Sequence, residues 1–423
     1  MAVFSRRERR AGCYREPRRV VASRCPFVKR EGGFMNHIKS SLRWALSLII
    51  ALLLFSIQAC KPSEHAKTAS GTEANEAVPL RYAKLFTMKR ENGCTRIDVF
   101  AGEKNSSVPV ARYLLVPRGK AVPEHDADML VVKTPVRRLT CDNGLEVSFL
   151  DLLGASKALV GVSGKVLISH DRVHRAIDDG TLAVTGYGRS TNMETLLALK
   201  PDVTFIITSF GVDLPFRLRS YGITPGLFSA YHEEHPLGVV EWIRFMGAFL
   251  GKESLAEAIF REKEAAYLAM QQRVRKVQKR PTVIAGYMRK GTWSTMTAPR
   301  SFVTMLDHAG ADYLFKELEP ERGYLLSGEV AMQAGQQAAF WLNTHSQAST
   351  LQEVLTEDGR YGEFRSVREG RVYNNNGSCF RNGKTRYWDI GMTEPDQILA
   401  DLVAIFHPEL MPGHTLRYYR RLE

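Results

Sequence analysis

One long helical pattern, set between two stretches that alternate strand-like and helix-like runs, limits the folds open to this chain more than any other feature. Between Pro236 and Arg280, Val239, Val240, Ile243, Met246 and Leu250 mark one apolar face before Gly251. Leu255, Ile259, Tyr267, Met270 and Val274 mark another after it, at the spacing of an amphipathic helix. Residues 252–279, if wholly helical, extend roughly 40 Å, enough to cross from one lobe to another. Before this segment, KALVGVS and DVTFIITSF alternate with EVSFLDLLG and METLLALK; after it, PTVIAGY, QAAFWLN and GRVYNNN alternate with SFVTMLDHAG and DQILADLVAIFHPEL. Such alternation indicates βαβ units and mainly parallel sheets. From Val78 to Arg138 the runs are shorter and punctuated by Gly and Pro, as in RIDVFAG and ARYLLVPRG, which reads as antiparallel strands. The expected class is α/β: two Rossmann-like lobes, 78–235 and 281–423, joined by a long helical segment, 236–280, with a small β extension on the first lobe.

The N-terminus departs from this pattern. Residues 44–60, WALSLIIALLLFSIQAC, carry no charge and follow Lys39 and Arg43, the arrangement of a secretory signal. The run is shorter than the roughly 20 residues that span a bilayer as a helix. Residues 35–59 are therefore expected to be a signal peptide, and the polar stretch 60–77 a flexible tether. Residues 1–34 hold ten Lys or Arg against three Glu and fit an over-extended leader ahead of Met35.

These terminal segments also account for the basic charge. The chain's +13 includes +7 from residues 1–34 and +2 from the signal, leaving +4 beyond Cys60. That balance supplies no case for a nucleic-acid partner, which requires a clustered basic stripe in the folded part. Beyond Cys60 only Cys94, Cys141 and Cys379 remain, without CxxC spacing, so structural zinc is not expected. A Cys94–Cys141 disulfide is one arrangement an oxidising compartment would allow.

Two sets of residues carry a resemblance. Ile57, Gln58, Ala59 and Cys60 resemble a bacterial lipobox, which implies diacylation of Cys60 and a lipid anchor. Residues 192–204, NMETLLALKPDVT, resemble an element of the periplasmic binding proteins for iron siderophores, haem and cobalamin. TPVRRLT, LLGASKALVGVS, GYG, SGEVAMQAGQQAAFWLN and EPDQILADLVAIFHPEL follow that family's order, from about Val78 to Leu410. Leu196, Leu197 and Leu199 read as the buried side of a short helix that Pro201 ends at Lys200. The resemblance places Glu194 and Glu329 on the outer rims of the two lobes, as contacts for arginines on an ABC permease dimer. It also implies a rigid helical hinge with little closure motion.

In a two-lobed binder the ligand sits between the lobes, against loops at strand ends. The candidate loops hold Asp142 and Asn143; Gly188 and Arg189; Ser209 and Phe210; Tyr231 and His232; Tyr287, Arg289, Lys290 and Trp293; and Asn374, Asn375, Arg386, Tyr387 and Trp388. Trp293, Tyr387 and Trp388 suit stacking on a macrocycle or catechol, while Arg289 and Arg386 suit carboxylates. The string YHEEHP contains His232 and His235, whose spacing fits a polar loop as well as metal ligation; no metal site is assigned. His407 reads as a structural cap.

There is no GxSxG, P-loop, HExxH or Rossmann glycine fingerprint, which favours binding over catalysis. The expectation is an envelope solute-binding lipoprotein, facing the periplasm or exterior. It would be a monomer without a resident cofactor that carries an iron chelate, haem or cobalamin to an ABC importer. Two rivals are a tethered chelatase-like enzyme, which needs His232 and His235 aimed into the cleft beside a carboxylate, and a transporter-independent haem scavenger, which would leave Glu194 and Glu329 buried.

Overall fold

The computed structural model describes residues 76–101, 107–207, 213–296, 300–318, 325–344 and 347–423. Cys60, the signal and most of the tether, together with Ser209 and Phe210, lie outside them. No helix among the described residues is long and apolar enough to cross a membrane.

The chain begins with a sheet of its own: β1 (Glu76–Val78), β2 (Phe86–Glu91), β3 (Cys94–Val99), β4 (Ala111–Pro117) and β5 (Leu130–Thr134), in that order. β1 to β4 are antiparallel, but β5 runs parallel to β4, so the expected all-antiparallel extension is corrected at its last strand. The inner faces of β2 and β4 pack on the helix that follows the first lobe: Phe86 meets Trp242 at 4.6 Å and Tyr113 meets Phe249 at 5.4 Å. Cys94 and Cys141 are buried and not bonded to one another.

The first lobe is a parallel sheet of β6 (Leu139–Cys141), β7 (Leu159–Val162), β8 (Ala183–Val184), β9 (Val203–Ile207) and β10 (Pro225–Phe228), ordered β10-β9-β6-β7-β8. Its helices are α1 (Gly144–Leu152), α2 (Asp171–Asp178), α3 (Met193–Leu199) and α4 (Leu214–Ser220). α3 stops where Pro201 requires, with Lys200 in the left-handed region at φ 48°. Of its three leucines only Leu196 is fully buried, and Leu197 is exposed, because one short helix presents a single narrow stripe to the sheet.

The expected inter-lobe helix is two helices, α5 (Pro236–Leu250) and α6 (Glu253–Val274). Gly251, at φ 62°, caps the first, and α6 packs back on α5, with Gly247 against Ala256. At 22 residues α6 is about 33 Å long. Every residue of α5 is buried, because the extension sheet, the first lobe and α6 surround it. Two carboxylates, one within α5 and one just before it, hold the incoming chain. Glu241 accepts from the backbone N–H of Arg81, Tyr82 and Ala83 at 2.8–3.1 Å, and Glu233 accepts from those of Lys84 and Leu85 and from Trp242 Nε1.

The second lobe is built from β11 (Thr282–Ala285), β12 (Tyr287–Arg289), β13 (Thr292–Ser294), α7 (Ser301–His308), β14 (Asp312–Tyr313), β15 (Leu325–Ser327), α8 (Gly328–Gln337), β16 (Phe340–Leu342), α9 (Leu351–Glu357), α10 (Arg365–Arg368), β17 (Val372–Asn374), α11 (Pro395–Phe406) and β18 (Arg420–Arg421). The main sheet is β14-β11-β16-β17-β18, parallel except for β18, and β12-β13-β15 form a small antiparallel sheet beside it. Each lobe has its own hydrophobic core.

Candidate functional site

At the C-terminal ends of β11, β16 and β17 the chain leaves a cavity of about 280 Å³. Ala285, Gly286, Tyr287, Ser294, Thr295, Met296, Phe302, Asn343, Asn375 and Trp388 line it. The sheet ends diverge here because β11 turns at Gly286 (φ 105°) and β16 at Asn343 (φ 53°), both conformations that disfavour bulky residues. Trp341 Nε1 donates to Gly286 O at 2.8 Å and fixes the turn. The walls are aromatic and thioether surface interrupted by hydroxyl and amide groups, with no charged side chain among the described lining residues. A smaller enclosed cavity of about 50 Å³ adjoins it, sharing Met296, Phe302 and Trp388 and reaching Tyr231, Arg300 and Tyr387.

Residues 376–391 form a strap that leaves the second lobe and lies on the first. Arg386 pairs with Asp171 at 3.5 Å, and Asp171 also accepts from Arg381 N. Lys384 donates to Val166 O, and Tyr231 O–H donates to Trp388 O at 3.2 Å. Asp389 goes deepest: its carboxyl carbon occupies the place of a side chain at Gly144, 2.2 Å from where a Cβ would be. It thereby meets the N-terminal turn of α1, which favours negative charge.

The groups around Asp389 form a buried titratable cluster. His170 places Nδ1 3.9 Å from the Asp389 carboxylate and Nε2 3.0 Å from Ser148 Oγ, with Phe380 against its ring. Burial pushes the Asp389 carboxyl up to about 7 and the His170 imidazole down to about 4, so in mildly acidic solution the two meet as neutral groups and not as an ion pair. Burial likewise raises Asp142 to about 7, although Asn143 and the N–H of Ile207 donate to it. It raises Glu146 well above its usual range, helped by the charge of Asp142. Glu146 Oε1 and His170 Nδ1 have no hydrogen-bond partner among the described residues.

The structure sorts the residues expected from sequence into three groups. Tyr287, Asn375 and Trp388 line the main cavity, while Tyr231 and Tyr387 line the smaller one. Arg386 is at the lobe junction, engaged by Asp171 and stacked over Phe380 at 5.0 Å. The third group is elsewhere. Trp293 has no exposed surface, donates Nε1 to Ala285 O and packs on Trp341; the expected stacking role is corrected to a core role. Arg289 and Lys290 are exposed at the β12–β13 turn, outside the cavities, and Arg189 is exposed. Tyr387, largely buried and 3.4 Å from the Tyr419 hydroxyl, supports Trp388 from behind.

His232 Nδ1 lies 3.2 Å from Arg300. His235 caps α5 through Nδ1 and stacks on Tyr82 at 4.7 Å. The two do not converge on a carboxylate in the cleft, and no group of three His, Cys, Asp or Glu among the described residues could hold a metal ion. Glu194 and Glu329 are both exposed, in the first turns of α3 and α8. Sequence reading missed Asp389 as an inter-lobe group and missed His170 altogether. The capping spacing of Asn143 and Glu146 was the available signal for the α1 terminus.

A family model described as periplasmic binding protein matches residues 143–376. Two uncharacterized lipoproteins of Methanocaldococcus jannaschii are similar along most of their length. One is 22% identical over 372 residues, covering 82% of this chain and 86% of the relative; the other is 24% identical over 367 residues, covering 81% and 87%. Among solved structures, a periplasmic haem-binding protein from Pseudomonas aeruginosa has a similar fold, with TM-score 0.51, 19% identity and coverage of 68% of this chain and 98% of that one. A molybdate periplasmic binding protein from Haemophilus influenzae is similar at TM-score 0.52 and 16% identity, covering 66% and 89%.

Proposed function

The chain belongs to the periplasmic binding protein family, and from that premise we propose that it captures a metal chelate of the siderophore, haem or cobalamin class and hands it to an ABC importer. The observation that carries this reading is the cavity at the strand ends of the second lobe, walled by Tyr287, Phe302, Met296 and Trp388. Aromatic and thioether walls suit a flat, polarisable ligand, and Asn343 and Asn375 supply amides to orient it. At about 280 Å³ the space admits one edge of a macrocycle, so full seating of haem or cobalamin requires the strap to lift from the first lobe. The anchor in this reading is diacylated Cys60, supported by the lipoprotein description of the two Methanocaldococcus jannaschii relatives. Glu194 and Glu329 serve as the permease contacts, supported by their exposure at helix first turns.

The size of the cavity also favours a second reading. Ser294, Thr295, Asn343 and Asn375 are neutral donors that fit a small oxyanion, the type of ligand held by the Haemophilus influenzae protein. Calorimetric titration with haem, a ferric catecholate, cobalamin and molybdate separates the two. One-to-one binding of a chelate at about micromolar affinity or better upholds the first. Binding of molybdate alone replaces it with the second, and binding of none rejects both.

A further inference from the structure

The cleft uses only one end of the second lobe's sheet. At the other end, where β11, β16 and β17 begin, lies an open cavity of about 900 Å³. Six cations from separate parts of the chain line it: Arg273, Lys276, Lys279 and Arg280 at and after the end of α6, and Arg365 and Arg371 around α10. Glu409 is the only carboxylate among the lining residues described. Part of this charge is already committed. Arg280 donates to Asp307 and to Ala311 O, and Arg365 and Arg371 share Glu369. Lys276 and Lys279 have no ion-pair partner among the described residues, and Arg273 reaches the Met411 thioether at 3.5 Å.

The dipole of α6 favours cations at its C-terminal turn, which accounts for Arg273. It does not account for Lys279, beyond that turn, or for Arg365 and Arg371, which come from another part of the chain. Arg371 lies over the Phe340 ring at 5.2 Å, and burial together with the neighbouring Arg365 pushes its guanidinium below the usual arginine range. The floor beneath it is apolar, with Phe340 and Phe406 in the lining.

The geometry points to a second binding site, at the base of the second lobe, for a phosphate-bearing anion. Converging guanidinium and ammonium groups match the several oxygens of a phosphoryl or diphosphate group better than a single carboxylate. A lipid headgroup and a free phosphorylated molecule present this same chemistry. The site is separate from the cargo cavity and stands whether or not the cargo reading does.

The test is equilibrium dialysis of the full chain, in neutral detergent, against labelled inorganic pyrophosphate at low and moderate salt. Wild type is expected to bind in the millimolar range or tighter, with affinity falling as salt rises. The exposed double variant Lys276→Glu/Lys279→Glu is expected to bind at least about tenfold more weakly, and a charge reversal at the exposed first-lobe residue Lys157, Lys157→Glu, to bind as wild type. Displacement by soluble short-chain phosphatidate but not by ADP assigns the site to a lipid headgroup; the reverse assigns it to a free phosphorylated molecule. Absence of pyrophosphate binding, binding indifferent to the double variant, or Lys276- and Lys279-dependent binding of a duplex oligonucleotide without any binding of pyrophosphate would each overturn the assignment.

Discussion

Replacing Asp389 by Asn keeps the shape of the group inserted between the lobes and removes its titration. In the folded chain burial holds this carboxyl at about 7, against 3.8 when solvated. Throughout that window the folded state holds a proton that the unfolded state has released. Stability therefore falls as pH rises through it, by about 1.4 kcal/mol per pH unit, and the loss is complete above the folded value at roughly 4 kcal/mol. Asp142 and Glu233, also held at about 7 by burial, add slopes of the same sign. His170 and His235, pushed down to about 4 by burial, act the other way: below their solvated value of 6.5 the unfolded chain gains protons that the folded chain does not. All four are common to wild type and variant and drop out of the difference. Relative to wild type, Asp389→Asn should thus gain about 2 to 3 kcal/mol between about pH 5 and about pH 7. Urea unfolding followed by tryptophan fluorescence across that range measures it. A stability difference that does not change with pH would refute the reasoning and place Asp389 in a solvated or ion-paired setting.

Three further outcomes follow from the same contacts. Glu241→Ala strands the part-buried N–H groups of Arg81, Tyr82 and Ala83 and leaves Arg244 with Glu257 as its remaining carboxylate partner. It should cost about 3 to 5 kcal/mol in urea unfolding, with Glu241→Gln losing less. Trp388→Ala removes a wall of the cargo cavity and should weaken cargo binding by about 30-fold or more in calorimetry. Under the proposed permease-contact role, Glu194→Arg with Glu329→Arg should depress cargo uptake in cells or proteoliposomes while leaving the equilibrium affinity for cargo unchanged, since both carboxylates are exposed and outside the cavity.

Much of the architecture was legible from periodicity. The alternation of KALVGVS and DVTFIITSF with helical runs is what a parallel sheet covered by helices requires, and Pro201 set the end of α3. The hinge was only half legible. Gly251 was visible as a break, but whether the chain runs on or packs back after such a glycine depends on what covers both helices, and all-round burial of α5 is a tertiary fact. At the site, Tyr287, Asn375 and Trp388 were reachable because strand-end loops face the cleft in this type of fold. Trp293 was not separable from them, since an aromatic next to a turn serves a core as readily as a ligand. Asp389 was opaque for a different reason: its partner Gly144 is 245 positions away, and a glycine required by close approach looks, in one sequence, like any other helix start.

Hydrogen exchange with and without the cargo identified by titration tests the central claim most directly. The account predicts that bound cargo protects segment 285–296, Asn343 and Asn375 around the cavity and alters exchange in strap residues 376–391, leaving the base of the second lobe near Lys276 and Arg371 unchanged. Stoichiometric binding with protection confined to surfaces away from that cavity would contradict it.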